Sequence, residues 1–253
     1  MAGRTLLSAL KWQAEAGADE AIGERPIDRF AAPPPSSPAE PPPAESGPGT
    51  ENNVKNASEI AAGHQTLDDI RAALETFEEC PLSRTATNLV YTDGNPQARI
   101  VFIGEAPGAE EDRQGLPFVG PAGRLLDRML ATIDLDRSQV LITNTLFWRP
   151  PGNRNPTPAE AAACLPFVER TIEIVDPEIL VMVGGTAAKT LLSRSEGIMK
   201  LRGKWFSFKT PRMARPVDAM PIFHPAFLLR SPGQKCVTWH DLIQIKRRMG
   251  EDS

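Results

Sequence analysis

The chain has 253 residues, with 28 Lys and Arg against 32 Asp and Glu, 25 prolines and three cysteines. It holds no run of ~18 apolar residues and no charged start followed by an apolar core, so a soluble, cytoplasmic protein with no membrane contact is expected. Cys80, Cys164 and Cys236 are too few and too scattered for a disulfide framework, which fits a reducing compartment.

The first 62 residues account for the whole formal charge of −4. Within them, Thr5 to Ala18 spaces Leu6, Leu7, Leu10 and Trp12 as a short amphipathic helix. That helix is either frayed or docked on the domain or on a partner that the sequence does not identify. Eight of the 25 prolines lie between Ala31 and Pro48, among Ser, Ala and Glu. Such a stretch buries too little apolar surface to offset its ordering entropy, so it reads as a disordered linker. The expected organisation is a tail over residues 1–62 and one folded domain over 63–253, with the ordered part starting near Thr66 and behaving as a monomer.

Leu67 to Phe77 places Ile70, Leu74 and Phe77 on one helical stripe, with Asp68 and Asp69 suited to its first turn. Beyond it, apolar runs at 99–103, 140–143, 179–183 and 219–223 predict buried strands. Helical patterns at about 122–133, 159–175, 185–192 and 236–249 separate or follow them. Strands alternating with helices describe an α/β fold: a single domain with a central four-stranded parallel sheet covered by helices on both faces, preceded by the disordered Pro-rich tail. Residues 63–193 carry 11 basic and 18 acidic side chains, and residues 194–253 carry 12 and 5. The basic last quarter is either a solvated surface or a face for a phosphate backbone.

Three segments directly follow predicted strands. They are Gly104-Glu105-Ala106-Pro107-Gly108 running on to Pro117-Phe118-Val119-Gly120, then Thr143-Asn144, then His224-Pro225. Ends of parallel strands meet at one rim, where open α/β sheets bind ligands. A carboxylate, an aromatic ring, a carboxamide and an imidazole would converge there, a set suited to a flat, hydrogen-bonding heterocycle. Each residue has a plainer alternative. The Gly-rich turn at Gly104 is either a close-approach loop or an ordinary connection. Glu110-Glu111-Asp112 is a solvated loop unless one carboxylate meets a polar edge of the base. Phe118 packs in the core or offers its face for stacking, and Asn144 closes a turn or reads a base edge. His224 is structural or part of the rim chemistry. Leu228 and Leu229 form an apolar helical turn or a wedge into a base stack, with Arg230 on a phosphate.

Taken together, GEAPGAEEDRQGLPFVGPAG at 104–123, TN at 143–144 with RPPGNRNPTPAE at 149–160, and HPAFLLR at 224–230 resemble the family-4 uracil-DNA glycosylases. The resemblance covers about 170 residues in the right order. It implies uracil-containing DNA, single- or double-stranded, as partner, and hydrolysis of the N-glycosidic bond to leave an abasic site. Phe118 would stack on the extruded base, Asn144 would read its edge and Glu111 would crowd the position of a thymine methyl. Gly104 and the Glu105–Ala106 backbone would shape the floor. His224 would hydrogen-bond the departing O2, and Leu228, Leu229 and Arg230 would engage the DNA.

Two departures qualify the resemblance. Most family-4 members hold a [4Fe–4S] cluster on four cysteines, but here only Cys80 and Cys164 match, with Phe77 and Trp148 at the other two places. Two thiolates do not make a Cys₄ set, so no cluster and no other metal or cofactor is expected. Another branch of the superfamily carries a basic, His-containing insertion after the second strand and becomes covalently linked to DNA. The short Arg-Pro-Pro-Gly loop here lacks that histidine, so ordinary turnover is expected. Ala106 stands where the most efficient relatives place a water-positioning aspartate, which leaves Glu105 as the candidate for that task. It also keeps open a competing reading, a non-catalytic binder of uracil-containing or abasic DNA.

Overall fold

The computed structural model describes residues 48–251. The Thr5–Ala18 helix and nearly all of the proline-rich segment lie outside the described residues. Six strands form one sheet: β1 Asp93–Gly94, β2 Ile100–Gly104, β3 Leu141–Asn144, β4 Ile179–Val183, β5 Phe206–Phe208 and β6 Val217–Ile222. Their order is β1-β3-β2-β4-β6-β5. The four predicted strands are the central parallel block. To it the structure adds two short antiparallel edges, β1 on β3 and β5 on β6.

Every residue of β2, β3 and β4 is buried, because successive side chains feed two different cores. Val101, Ile103, Leu141, Leu180 and Met182 face one core, built with α1 (Pro48–Gly63), α2 (Leu67–Glu75), α5 (Pro158–Val175) and α6 (Gly185–Leu192). Ile100, Phe102, Ile142, Val181 and Val183 face the other, closed by α4 (Pro121–Ala131) and α9 (Lys235–Glu251). Short helices α3 (Ala109–Gln114), α7 (Ile198–Leu201) and α8 (Pro225–Arg230) complete the fold. Among the described residues, no helix is long and apolar enough to cross a membrane.

Local signals set the helix starts. Thr66 caps α2, its hydroxyl accepting from Asp69 N–H while the Asp69 carboxylate accepts from Thr66 N–H, both at 3.1 Å. Thr157 and Glu160 form the same reciprocal pair at the start of α5. Helix α1 was not anticipated: it begins at Pro48, where the proline-rich segment ends, and runs through the last part of the span read as tail. Its buried apolar residues are Ala57 and Ala61, one turn apart, with Ile60 packed beside them. Ordered structure therefore starts well before Thr66. Arg170 Nε donates to His64 O at 2.9 Å and Arg212 to Ala62 O at 3.1 Å, tying the end of α1 to the domain.

The parallel block fixes where a ligand can sit. β2 has β3 on one side and β4 on the other, so the chain's progress through the sheet reverses at β2. A crevice opens at such a reversal, outside the carboxyl ends of the strands.

This boundary makes a prediction. Deleting residues 1–46 removes none of the described contacts and should leave the melting temperature unchanged. Deleting 1–62 removes α1 and uncovers α5, at a loss of roughly 2 kcal/mol from the buried alanines and Ile60, or about 4–8 °C. Thermal unfolding of the two truncations checks it, and equal melting temperatures would show α1 to be dispensable.

Candidate active site

Gly104 ends β2 directly beside Asn144, its register partner at the end of β3. A Cβ at Gly104 would collide with Asn144 Oδ1 and stand 2.5 Å from Phe118 Cζ and 2.7 Å from Cε2. Only a residue without a side chain lets the carboxamide and the ring close together over the strand end. Asn144 is 2% exposed, and none of the described hydrogen bonds uses its side-chain amide. Since no buried side-chain polar atom lacks a partner, the amide must open onto the cleft, which Asn144 lines.

The acidic run is helix, not loop. Glu111 is the third residue of α3, and its two carboxylate oxygens accept from Gly108 N–H at 3.1 Å and Gly120 N–H at 2.7 Å. It thus ties both ends of the 108–120 segment to one point. Asp112 accepts from Thr87 and Asn88 N–H at 2.8 and 3.2 Å, and Glu110 pairs with Arg113 at 2.6 Å on the surface. Of the three, only Glu111 lines the cleft. The loop it anchors carries Phe118, buried and at φ 55°, with its ring 5.7 Å from the His224 ring.

His224 follows β6 and caps α8, its Nδ1 accepting from Ala226 N–H at 3.1 Å. An acceptor at Nδ1 puts the proton of a neutral imidazole on Nε2. Burial is the main reason its pKa falls from 6.5 to about 4, aided by the Arg230 guanidinium and opposed by the Glu111 carboxylate. Gly184, at φ +104°, lies against the ring, where a Cβ would stand 3.1 Å from His224 Cβ.

These residues share one cleft of about 460 Å³ with Glu105, Ala106 and Arg230. Glu105 O is occupied by Thr145 Oγ1 at 2.8 Å and Leu146 N–H at 3.1 Å, while its carboxylate pairs with no described group. Gly104 forms the close-packed floor rather than the lining. Leu228 departs from expectation, being buried at 1% beside α4 and α9. Helical geometry turns neighbours by ~100°, so of the two leucines only Leu229, 41% exposed, remains at the surface. The two-leucine wedge reduces to one residue. The structure also adds a wall that sequence reasoning left unassigned, Asn153, Arg154 and Asn155. Arg154 is fixed there by a 2.9 Å bond to Glu160. Its only signal was the loop following β3.

Residues 91–243 of the chain match the family model of the uracil DNA glycosylase superfamily. Over 172 residues the chain is 41% identical to a type-4 uracil-DNA glycosylase of Archaeoglobus fulgidus, spanning 66% of this chain and 85% of that one. A type-4 uracil-DNA glycosylase of Thermotoga maritima is 43% identical over 171 residues, with the same 66% and 85% coverage. Another, from Sulfurisphaera tokodaii, is 38% identical over 186 residues, 72% of this chain and 84% of that one. The chain belongs to the uracil-DNA glycosylase superfamily. The four places that the resemblance assigned to a cluster meet in two pairs, within one hydrophobic core. Cys164 Sγ lies 3.9 Å from Cys80 Sγ, and the Phe77 and Trp148 rings stack at 6.5 Å. Burial pushes the Cys164 thiol well above its usual range, while the contact with Cys164 lowers that of Cys80. Two aromatic rings at two of the four places do not fit a four-thiolate cluster.

The imidazole supplies the prediction here. Between pH 6.5 and about 4 the unfolded chain binds a proton on this ring that the folded protein refuses. Its contribution to stability is therefore complete above pH 6.5 and is lost as pH falls through that window. An NMR titration of the His224 ring should show its midpoint near 4. An inflection between pH 6 and 7 would mean that the imidazole is charged where the geometry requires it neutral.

Proposed function

We propose that the protein excises uracil from DNA by hydrolysing its N-glycosidic bond, leaving an abasic site for repair. The observation that carries this reading is the pairing of a buried, open-facing Asn144 carboxamide with a neutral His224 in one cleft. The base must leave the duplex, at a cost of a few kcal/mol that is smallest for mispaired or single-stranded uracil. Phe118 then offers a stacking face, an interaction of about 1–3 kcal/mol per base, and Asn144 pairs with the base edge. Glu111, held rigid by Gly108 and Gly120, crowds the place of a methyl group and so disfavours thymine.

As the bond breaks, negative charge develops on uracil O2 and positive charge on the sugar. The proton on His224 Nε2 and the Ala106 N–H, which no described acceptor takes, act as donors to that oxygen. A neutral imidazole suits this role, since it donates without first bringing a charge into a buried site. Glu105 is the group available to orient water. Arg230 and the basic last quarter hold phosphates, with Leu229 filling the gap left in the stack. The reading includes a monomer acting in the cytoplasm, on single- or double-stranded DNA, without a metal or cofactor.

An oligonucleotide with a single uracil, incubated with the protein and then treated with alkali, decides between catalysis and binding alone. Strand cleavage is expected, and tight binding without cleavage would overturn the proposal. His224→Ala should lower single-turnover cleavage by about 10²–10³ with little change in DNA affinity, because its donor meets charge present mainly in the transition state. Asn144→Ala should lower both, since polar groups of the base lose a partner already in the bound state. Near-normal cleavage by His224→Ala would make the imidazole structural.

The cofactor reading has its own check. Anaerobically purified protein should be colourless and free of stoichiometric iron and sulfide. Cys80→Ala and Cys164→Ala should each melt a few degrees lower yet keep activity in the folded fraction. Iron at cluster stoichiometry would overturn this.

A further inference from the structure

Phe118 occupies the left-handed region at φ 55°, a costly conformation for a bulky aromatic residue that persists only where the surroundings impose it. Two glycines permit the arrangement. Gly104 leaves room for the ring, and a Cβ at Gly123 would overlap the Phe118 carbonyl. Permission is not attraction, however. The pull comes from Arg137, on the connection between α4 and β3. Its guanidinium donates to Pro117 O at 3.1 Å and also to Phe118 O. No other described group hydrogen-bonds either carbonyl.

The guanidinium is itself held in place. Its Nε donates to Asp127 of α4 at 2.8 Å and its Nη1 to Asp93 of β1 at 2.6 Å. Two carboxylates from different elements thus fix the fork's plane, and two of its three remaining donors go to consecutive carbonyls. Lysine offers a point charge without this planar geometry and cannot reproduce it.

We propose that Arg137 is a positioning residue for base recognition: by gripping the Pro117 and Phe118 carbonyls, it sets the plane in which the Phe118 ring meets an extruded uracil. This rests on the reading that Phe118 stacks on that base. Arg137 does not line the cleft, so it reaches a bound base only through the Pro117–Phe118 segment that it holds.

The test compares two probes bound by the full chain. One is an oligonucleotide carrying a single 2′-fluoro-2′-deoxyuridine, which resists cleavage. The other is the same strand with a tetrahydrofuran in place of that nucleotide, which has no base to stack. The ratio of the two affinities isolates recognition of the base from grip on the backbone. Phe118→Ala should lower the ratio about tenfold, within the range for loss of one stacked ring. Arg137→Ala should lower it about fivefold while leaving affinity for the tetrahydrofuran strand unchanged. In the Phe118→Ala background the same change should alter the ratio less than twofold, because the ring through which Arg137 acts is gone.

Arg137→Lys keeps a cation near Asp93 and Asp127 and carries the test if Arg137→Ala does not fold. It too should lower the ratio severalfold, at a melting temperature close to that of the unsubstituted protein. If Phe118→Ala lowers the ratio but the Arg137 variants leave it unchanged, or weaken both probes equally, Arg137 is structural and the proposal fails. Full additivity of the two substitutions would overturn it as well. If Phe118→Ala itself leaves the ratio unchanged, the stacking reading fails first and the proposal falls with it.

Discussion

The missing side chain at Gly104 governs the site. Its parallel register with Asn144 sets a carboxamide beside the strand end, and the absent Cβ lets Phe118 lie over both. Even alanine there would place a carbon 2.5 Å from the ring, a separation that real contacts do not tolerate. Ring and amide could not then share one floor. The rest of the rim is support for that contact. Glu111 ties Gly108 to Gly120, Arg137 holds the carbonyl preceding the ring and the ring residue's own, and Gly184 admits His224 alongside.

Electrostatics follow from the same packing. Close contact with Phe118 and burial at the end of β6 withdraw His224 from water, and desolvation disfavours its charged form. The Glu111 carboxylate pulls the pKa upward, but burial outweighs it. Arg230 acts in the opposite sense. The outcome is an imidazole whose neutral form is favoured and whose ring is oriented by the Ala226 N–H.

The central sheet was legible because burial on both faces leaves near-continuous apolar runs, as in Ile100–Gly104 and Ile179–Val183. The edges were not, since β1 has two residues and β5 three, too few to show a period. Helix α1 escaped notice because alanines carry its contact with α5, and α3 because AEEDRQ lacks an apolar stripe. The rim residues were visible as residues following strands, since register alone brings such positions together. Helical phase decides which of Leu228 and Leu229 faces inward, and a two-residue motif does not reveal it. Arg137 was invisible for another reason. It recognises backbone carbonyls, which every residue has, and so leaves no pattern in side-chain types.

The corner formed by Phe77, Cys80, Trp148 and Cys164 is held by ring contacts and by the two neighbouring sulfurs. A cluster there would cross-link the chain after α2, the chain after β3 and the first half of α5. Aromatic contacts join the same segments: Phe77 packs edge-on to Phe167 at 4.9 Å and stacks with Trp148, which meets Phe147 at 6.1 Å. All of these residues belong to the core on the α1, α2, α5 and α6 side of the sheet. Phe118, Phe223 and Leu228 belong to the core on the opposite side. The sheet therefore lies between the two sets, and the corner reaches the cleft chiefly through the chain from Asn144 to Trp148. Thr145 and Leu146 are bonded to Glu105 O within that segment, which holds Asn144 in register independently of what fills the corner. Exchange of thiolates for rings on one side can thus leave the floor on the other unchanged.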